Sequence, residues 1–147
     1  MIAVDTNILV YAHREESLFH LRALRRISEL AEAQASWAIP WPCLHEFIGV
    51  VTHSRGYVPP TPLSIAIATV DRWLQSPSVT LLTETETHWK TLREVIEAAQ
   101  ISGPVIHDAK IAALCIQHGV RELWSADRDF SRFRNLRVVN PLLDAKD

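Results

Sequence analysis

Four carboxylates in this 147-residue chain lie at positions that folding would bring together. They are Asp5, Glu46, Asp108 and Asp127. Asp5 and Asp127 each follow a short apolar run, whereas Glu46 and Asp108 lie in apolar segments with helical spacing. Two carboxylates about 4 Å apart repel by about 4 kcal/mol at a surface-like dielectric, so a cluster needs a compensating charge. A hard divalent cation, which takes oxygen ligands, is the obvious candidate.

Each carboxylate also has an ordinary structural explanation. Asp5 suits the N-cap of a helix that follows it, and Glu46 suits an exposed helix face. Asp108 suits the positive end of a helix dipole, and Asp127 suits a turn. All four explanations would have to hold by coincidence at one edge of a sheet. We therefore favour the interpretation in which the four carboxylates form one functional site.

The pattern of apolar residues places these carboxylates on an alternating α/β framework. Short apolar runs predict five strands, at residues 2–5, 36–39, 79–82, 123–125 and 137–139. Helical spacing predicts helices at residues 6–13, 16–33, 42–54, 61–75, 83–102 and 105–118, and a short helical turn at 128–132. Strands that alternate with helices indicate a parallel sheet covered on both faces.

A doubly wound strand order such as 3-2-1-4-5 would bring Asp5 beside Asp127. In that order strands 1 and 4 are neighbours at the switch point of the sheet, and ligands bind there, outside the carboxyl ends of the strands. Asp5 and Asp127 lie just after the ends of strands 1 and 4. The sequence pattern and the general rule for ligand sites therefore select the same location.

Local signals predict where the helices begin and which faces they bury. Thr61 followed by Pro62 predicts an N-cap, and Thr83 with Glu86 has the spacing of a capping box. An apolar stripe predicts the buried face of the second helix. It consists of Leu18, Leu21, Leu24, Ile27 and Leu30. The helix after Pro62 is expected to bury Leu63, Ile67, Val70 and Leu74.

Composition predicts one compact domain over residues 1–147 in an unexported protein. Hydrophobic residues make up 48% and charged residues 22% of the chain, an ordinary globular balance. No apolar run has the length of a membrane span, and the first residues lack the basic region of a signal peptide. Cys43 and Cys115 lie in apolar segments, where two thiols of an unexported chain are expected to stay reduced. These features predict a cytoplasmic protein that does not bind membranes.

The net charge of −2 argues against a strongly basic nucleic-acid binder. It does not exclude a nuclease, because the clustering of charge matters more than its total. Five arginines fall between Arg121 and Arg137. Two of them, Arg128 and Arg132, follow Asp127 closely and are candidates for contacts with the phosphate backbone of a nucleic acid. A solvated basic face is the alternative explanation for this group.

Other chemistries fit the sequence less well. His45-Glu46 is not a zinc-protease motif, because Gly49 stands where the second histidine is required. The chain has only four glycines and no glycine-rich phosphate loop. A phosphatase with an aspartyl nucleophile on the first strand would want a second aspartate where Asn7 stands.

Four segments taken in order resemble the PIN-domain ribonucleases, and most closely the VapC-like toxins of toxin–antitoxin pairs. The matching segments are residues 4–10, 44–47, 107–113 and 125–130. Each segment alone is a weak signal, whereas their order and spacing cover almost the whole chain. Ser125 stands where the family often has threonine, and it retains the hydroxyl.

The resemblance implies a PIN-like three-layer α/β/α sandwich with a central parallel sheet. It also implies an endoribonuclease that depends on Mg²⁺ or Mn²⁺. Carried over residue by residue, the acidic site would consist of Asp5, Glu46, Asp108 and Asp127, with the three aspartates as metal ligands. Supporting roles would fall to Asn7, Ser125 and Asp129. Family members form homodimers and are silenced by a cognate antitoxin, so both partners are expected here.

Two other classes of function remain open on the sequence alone. A metal-dependent phosphatase or a structure-specific DNA nuclease could use the same carboxylates, and assays with RNA, DNA and a phosphomonoester would separate them. A non-catalytic interaction module on the same scaffold is the other alternative. It would be favoured by calorimetry that shows no Mn²⁺ binding.

Overall fold

The computed structural model describes residues 1–143 and contains a five-stranded sheet. Its strands are β1 (Ile2–Val4), β2 (Trp37–Pro40), β3 (Val79–Leu82), β4 (Glu122–Trp124) and β5 (Val138–Val139). The strand order is β3-β2-β1-β4-β5, and every pair of neighbours is parallel. The predicted strand order is therefore confirmed, and β1 and β4 are neighbours at the switch point.

Six α-helices connect the first four strands. They are α1 (Thr6–His13), α2 (His20–Glu32), α3 (Trp41–Val51), α4 (Leu63–Leu74), α5 (His88–Ala99) and α6 (Ile106–Gln117). Two short 3-10 turns lie at Gly103–Val105 and Arg128–Arg132. Within the described part of the chain, no helix combines the length and the apolar character that crossing a membrane requires.

The connections between strands arrange these helices in two layers. The chain moves outward from β1 to β3 and then returns to the other side of β1, so right-handed crossovers put α1–α4 on one face and α5–α6 on the other. The contacts agree, because α1 packs against α2 and α3, α3 packs against α4, and α5 packs against α6. The predicted three-layer α/β/α sandwich is confirmed.

The interior of the sandwich holds the elements that carry the carboxylates. Trp37 of β2 and Phe47 of α3 are fully buried, because the central strands are covered on both faces. Helix α6 is buried along most of its length, and residues 111–115 form an uninterrupted buried run. Asp108 therefore extends from the first turn of a helix that the core holds firmly.

Three predicted helix starts are wrong. Helix α2 begins at His20, four residues after its predicted start. Helix α5 begins at His88, so Thr83 and Glu86 do not form a capping box, and no side chain caps this helix. Helix α4 begins at Leu63 with Pro62 at its N-cap position. Thr61 is instead buried, and its hydroxyl accepts a hydrogen bond from Nη1 of Arg14 at 3.1 Å. That tertiary contact takes up the hydroxyl that a cap would use.

The predicted buried faces of α2 and α4 are also wrong in part. In and before α2, Leu18 is 99% exposed and Leu21 is 78% exposed, whereas Ala23 and Ile27 are buried. In α4, Val70 is buried, whereas Leu63 and Ile67 are exposed. Periodicity identified the amphipathic helices. The residues that pack on the core, however, are smaller than the predicted ones or lie on a different side of the helix.

Candidate active site

Asp5 is a buried carboxylate that accepts hydrogen bonds at both of its oxygens. It lies at the end of β1, caps α1 and is only 4% exposed. Oδ1 accepts hydrogen bonds from the backbone N–H of Thr6 at 2.8 Å and the thiol of Cys43 at 3.6 Å. Oδ2 accepts from Nδ2 of Asn7 at 2.9 Å and Oγ of Ser125 at 2.7 Å. Burial raises the pKa of Asp5, and the hydrogen bond from Ser125 acts in the opposite direction.

Asn7 and Ser125 join the β1 end of the site to the β4 end. Nδ2 of Asn7 donates to Oγ of Ser125 at 3.1 Å, and Oδ1 of Asn7 accepts from the backbone N–H of Ala126 at 3.0 Å. Oγ of Ser125 also accepts from the backbone N–H of Asp127 at 3.0 Å. Two of the three residues predicted to support the site, Asn7 and Ser125, thus lie beside Asp5, and they fix the loop that carries Asp127.

Glu46 reaches the site from α3, although it is not buried. Its side chain is exposed, as the ordinary structural explanation for this residue predicts. The hydroxyl of Thr6 donates to Oε2 of Glu46 at 3.0 Å. This bond links α1 to α3 and fixes the orientation of the Glu46 carboxylate.

Asp108 and Asp127 complete the acidic group from α6 and the loop after β4. The pKa of Asp108 is raised to about 6, first by desolvation and then by the nearby charges of Asp127, Asp5, Asp129 and Glu46. Oδ1 of Asp127 accepts from the backbone N–H of Asp129 at 2.8 Å, so this residue also caps the 3-10 turn at Arg128–Arg132. Asp127 therefore stabilises a turn, as its ordinary structural explanation predicts, and also belongs to the acidic cluster.

One pocket of about 200 Å³ contains all four carboxylates. Asp5, Glu46, Asp108 and Asp127 come to it from four separate segments. Over residues 1–143, no three Asp, Glu, His or Cys side chains already stand in the arrangement of a metal-binding group. What the pocket offers is a concentration of negative charge on oxygen donors, which can attract a hard cation and polarise a bound water.

Four predicted residues do not line this pocket. Ser125 is buried and donates to Asp5, and the other three lie at another cavity. Asp129, Arg128 and Arg132 line a neighbouring cavity of about 440 Å³. Nη2 of Arg132 lies 3.6 Å from Oδ1 of Asp129 in an exposed ion pair. Asp129 influences the site through its charge on Asp108, and Arg128 is exposed.

The sequence analysis missed three side chains at this site. Cys43 touches Asp5, and Tyr11 and Tyr57 line the pocket. Tyr11 lies four residues after Asn7 on α1, so helical spacing could have identified it. Tyr57 lies in the loop between α3 and α4, where no periodic pattern points to it.

The comparisons with known proteins agree with this geometry. The PIN domain family matches residues 2–136. The VapC ribonuclease Mb2897 of Mycobacterium bovis is 37% identical over 142 residues, which cover 97% of this chain and 96% of that protein. Ribonuclease VapC48 of Mycobacterium tuberculosis is 28% identical, over 93% of this chain and 94% of that protein.

Solved structures show the same fold at lower identity. The VapBC2 complex of Rickettsia felis, bound to a DNA fragment from its promoter, contains a chain with a TM-score of 0.68 and 22% identity, over 95% of this chain and 98% of that one. VapC20 of Mycobacterium tuberculosis, a toxin that cleaves the sarcin–ricin loop, has a TM-score of 0.63 and 17% identity, over 89% and 93%. Because the family match spans nearly the whole chain and a relative of similar length is 37% identical, this protein belongs to the PIN-domain family and, within it, to the VapC ribonucleases.

Proposed function

We propose that this protein is a metal-dependent endoribonuclease and the toxin of a VapBC-type toxin–antitoxin pair. The observation that carries the proposal is the single pocket into which β1, α3, α6 and the loop after β4 each bring a carboxylate. Membership of the VapC ribonucleases supports RNA as the substrate. Water would attack the phosphodiester, so the products would carry a 5′-phosphate and a 3′-hydroxyl.

The donor set of the pocket suits Mg²⁺ or Mn²⁺. Its charged groups are all carboxylates, which are ligands for hard cations. The nearby thiol of Cys43 is not a competing soft ligand, because burial raises its pKa well above the ordinary value and keeps it protonated. Asp5, Asp108 and Asp127 would hold the cation, and Glu46 would complete the site. When bound, the cation would orient the scissile phosphate and acidify a water.

The surrounding residues set the orientation of Asp5 and the pKa of Asp108. Asn7 and Ser125 fix the orientation of Asp5, as outer partners of metal ligands commonly do. Burial and the neighbouring carboxylates raise the pKa of Asp108 to about 6 in the metal-free protein, and a bound cation would lower it again. Glu46, which would not hold the cation directly, is our candidate to accept the proton of the attacking water.

Cleavage should require a divalent cation. We expect excess EDTA to abolish cleavage of single-stranded RNA, and Mn²⁺ or Mg²⁺ in excess of EDTA to restore it, since the carboxylates alone cannot activate water. End-group analysis of the products measures the chemistry directly. Full activity in EDTA, or products that end in a 2′,3′-cyclic phosphate, would contradict the proposal. Matched DNA and phosphomonoester substrates test the alternative activities in the same experiment.

Thr6 should act as a positioning residue for Glu46. We expect Thr6→Val to lower kcat about fivefold with little change in KM, because one hydrogen bond to a charged group is lost. Thr6→Ser keeps the hydroxyl and should restore most of the rate. A loss in Thr6→Ser with no loss in Thr6→Val would indicate that the methyl group matters through packing, and that the hydrogen bond to Glu46 does not.

The protein's partners follow from the same proposal. The Rickettsia felis VapBC2 structure and the Salmonella typhimurium VapBC structure are toxin–antitoxin complexes bound to DNA, and we infer a cognate antitoxin for this chain. A homodimer and a cytoplasmic location accord with that role. Co-expression with the adjacent reading frame, followed by sedimentation analysis, tests for both the antitoxin and the dimer.

A further inference from the structure

The pocket that contains the carboxylates also contains two tyrosines, Tyr11 and Tyr57. We propose that these tyrosines bind an unpaired nucleobase of the RNA, next to the phosphate that is cleaved. This inference rests on the proposed ribonuclease function and adds to it a binding site for one base.

We call Tyr11 and Tyr57 the aromatic wall of the pocket. Helix α1 carries one of its two residues, Tyr11, beside the acidic site. Residues three and four apart share a helix face, so Asn7, Val10 and Tyr11 line the pocket together. The ring of Tyr11 is packed by Phe19, with centroids 5.4 Å apart and an interplanar angle of 52°. Tyr11 is thus supported from outside the pocket.

Tyr57 is held in place by a buried arginine. The guanidinium carbon of Arg14 lies 4.6 Å from the centroid of the Tyr57 ring, which is cation–π geometry. Arg14 is itself fixed, since Nη1 donates to Oγ1 of Thr61 at 3.1 Å, Nη2 donates to the carbonyl of Pro59 at 3.0 Å, and Nε donates to Glu16 at 2.7 Å. The ring is therefore ordered before any ligand arrives, which lowers the entropy lost on binding.

The chemistry of the pocket favours a base as the ligand of this wall. Phosphates would be repelled by carboxylates that are not neutralised, whereas a nucleobase is neutral and stacks on aromatic rings. Val10 and Val50 add apolar surface beside the tyrosines. Cavities of about 150 Å³ take up benzene, so a pocket of about 200 Å³ can admit one planar base.

The subsite should tolerate different bases. Two of the polar side chains near the tyrosines are already engaged, because Thr6 donates to Glu46, and Asn7 bonds to Asp5, Ser125 and Ala126. Binding would therefore depend on stacking more than on hydrogen bonds to base edges. Removal of the base should therefore lower kcat/KM more than its replacement by another base does.

The test uses a short RNA whose cleavage site has been mapped, and the same RNA with a single abasic nucleotide on either side of that site. Single-turnover kcat/KM in Mn²⁺ is measured for the wild type, Tyr57→Leu, Tyr57→Phe and Tyr11→Leu. Trp89→Leu serves as the matched control, because Trp89 is exposed on α5, outside the pocket. Thermal unfolding verifies that each variant is folded, and the two tyrosine positions provide independent tests.

On the intact RNA, Tyr57→Leu should lower kcat/KM about 10- to 100-fold, the effect of losing the stacking of one base. Tyr57→Phe and Trp89→Leu should remain within about threefold of the wild type, since the first keeps the ring and the second lies elsewhere. On the RNA that lacks the contacted base, the wild type should fall to the level of Tyr57→Leu, and the substitution should cost no more than about twofold in addition.

The results that would overturn the proposal are distinct from those that would overturn the ribonuclease function. If the wild type cleaves RNA but the substitution and the missing base act additively, the base subsite is wrong and the function stands. The same holds if neither Tyr57→Leu nor Tyr11→Leu affects cleavage, a result that would assign the wall to a protein ligand. If the wild type cleaves no RNA in Mn²⁺, both proposals fail.

Discussion

Replacement of Asp5 by asparagine is expected to abolish RNA cleavage and to destabilise the protein. The substitution removes a charge from the site, and the loss of one preorganised electrostatic group typically lowers kcat about 10²- to 10³-fold. It also replaces one acceptor oxygen by an NH₂ group. Both oxygens of Asp5 accept hydrogen bonds in a buried setting, so donors would face donors after the substitution. Such an unsatisfied buried group costs about 1–3 kcal/mol of unfolding free energy.

Urea denaturation and RNA cleavage, measured on the same preparation, test this prediction. Asp71→Asn is the matched control, because Asp71 is exposed on α4, and it should change neither quantity. From the sequence alone, Asp5→Asn would be expected to spare the fold. Unchanged stability would mean that the hydrogen bonds to Asp5 contribute little, and undiminished cleavage would overturn the catalytic assignment itself.

The sequence predicted the sheet and the pairing of two carboxylates, because both follow from general rules. Strand order brings the end of β1 beside the end of β4, and Asp5 and Asp127 follow those ends. Glu46 and Asp108 come from helices, whose rotation about their axes depends on packing. Their place in the site was implied by the family resemblance, and the structure brings both into the pocket.

The features that were not predicted depend on tertiary contacts without a local signature. Leu18 and Leu21 continue a helical stripe, but periodicity does not tell whether another element covers it, and both are exposed. Tyr57 reaches the pocket from a loop, where its ring is held by Arg14, the residue that follows α1. The thiol of Cys43 contacts Asp5 because α3 packs on α1, which no spacing in the sequence reveals.

Asp108→Asn is expected to have the opposite effect on stability and a similar effect on activity. The pKa of Asp108 in the folded protein is about 6, above its ordinary value of 3.8. Folding is therefore favoured by protonation, and this contribution is present below pH 3.8 and is lost as the pH rises through about 6. At pH 7.5 the ionised carboxylate destabilises the metal-free protein. A shift of this size corresponds to about 3 kcal/mol, which solvent screening at this partly exposed site reduces to about 1–2 kcal/mol.

In metal-free buffer, Asp108→Asn should raise the unfolding free energy by about 1–2 kcal/mol at pH 7.5, and the gain should vanish near pH 4. Cleavage in Mn²⁺ should fall about 10²- to 10³-fold. Asp71→Asn again provides the control at both pH values. A lower stability at pH 7.5 would show that Asp108 chiefly stabilises the first turn of α6. Burial raises the pKa of both Asp5 and Asp108. Both oxygens of Asp5 also accept hydrogen bonds, so we expect the loss of those bonds in Asp5→Asn to outweigh the relief of a buried charge. The charge of Asp108 is opposed by its acidic neighbours, so the relief of charge is expected to dominate there.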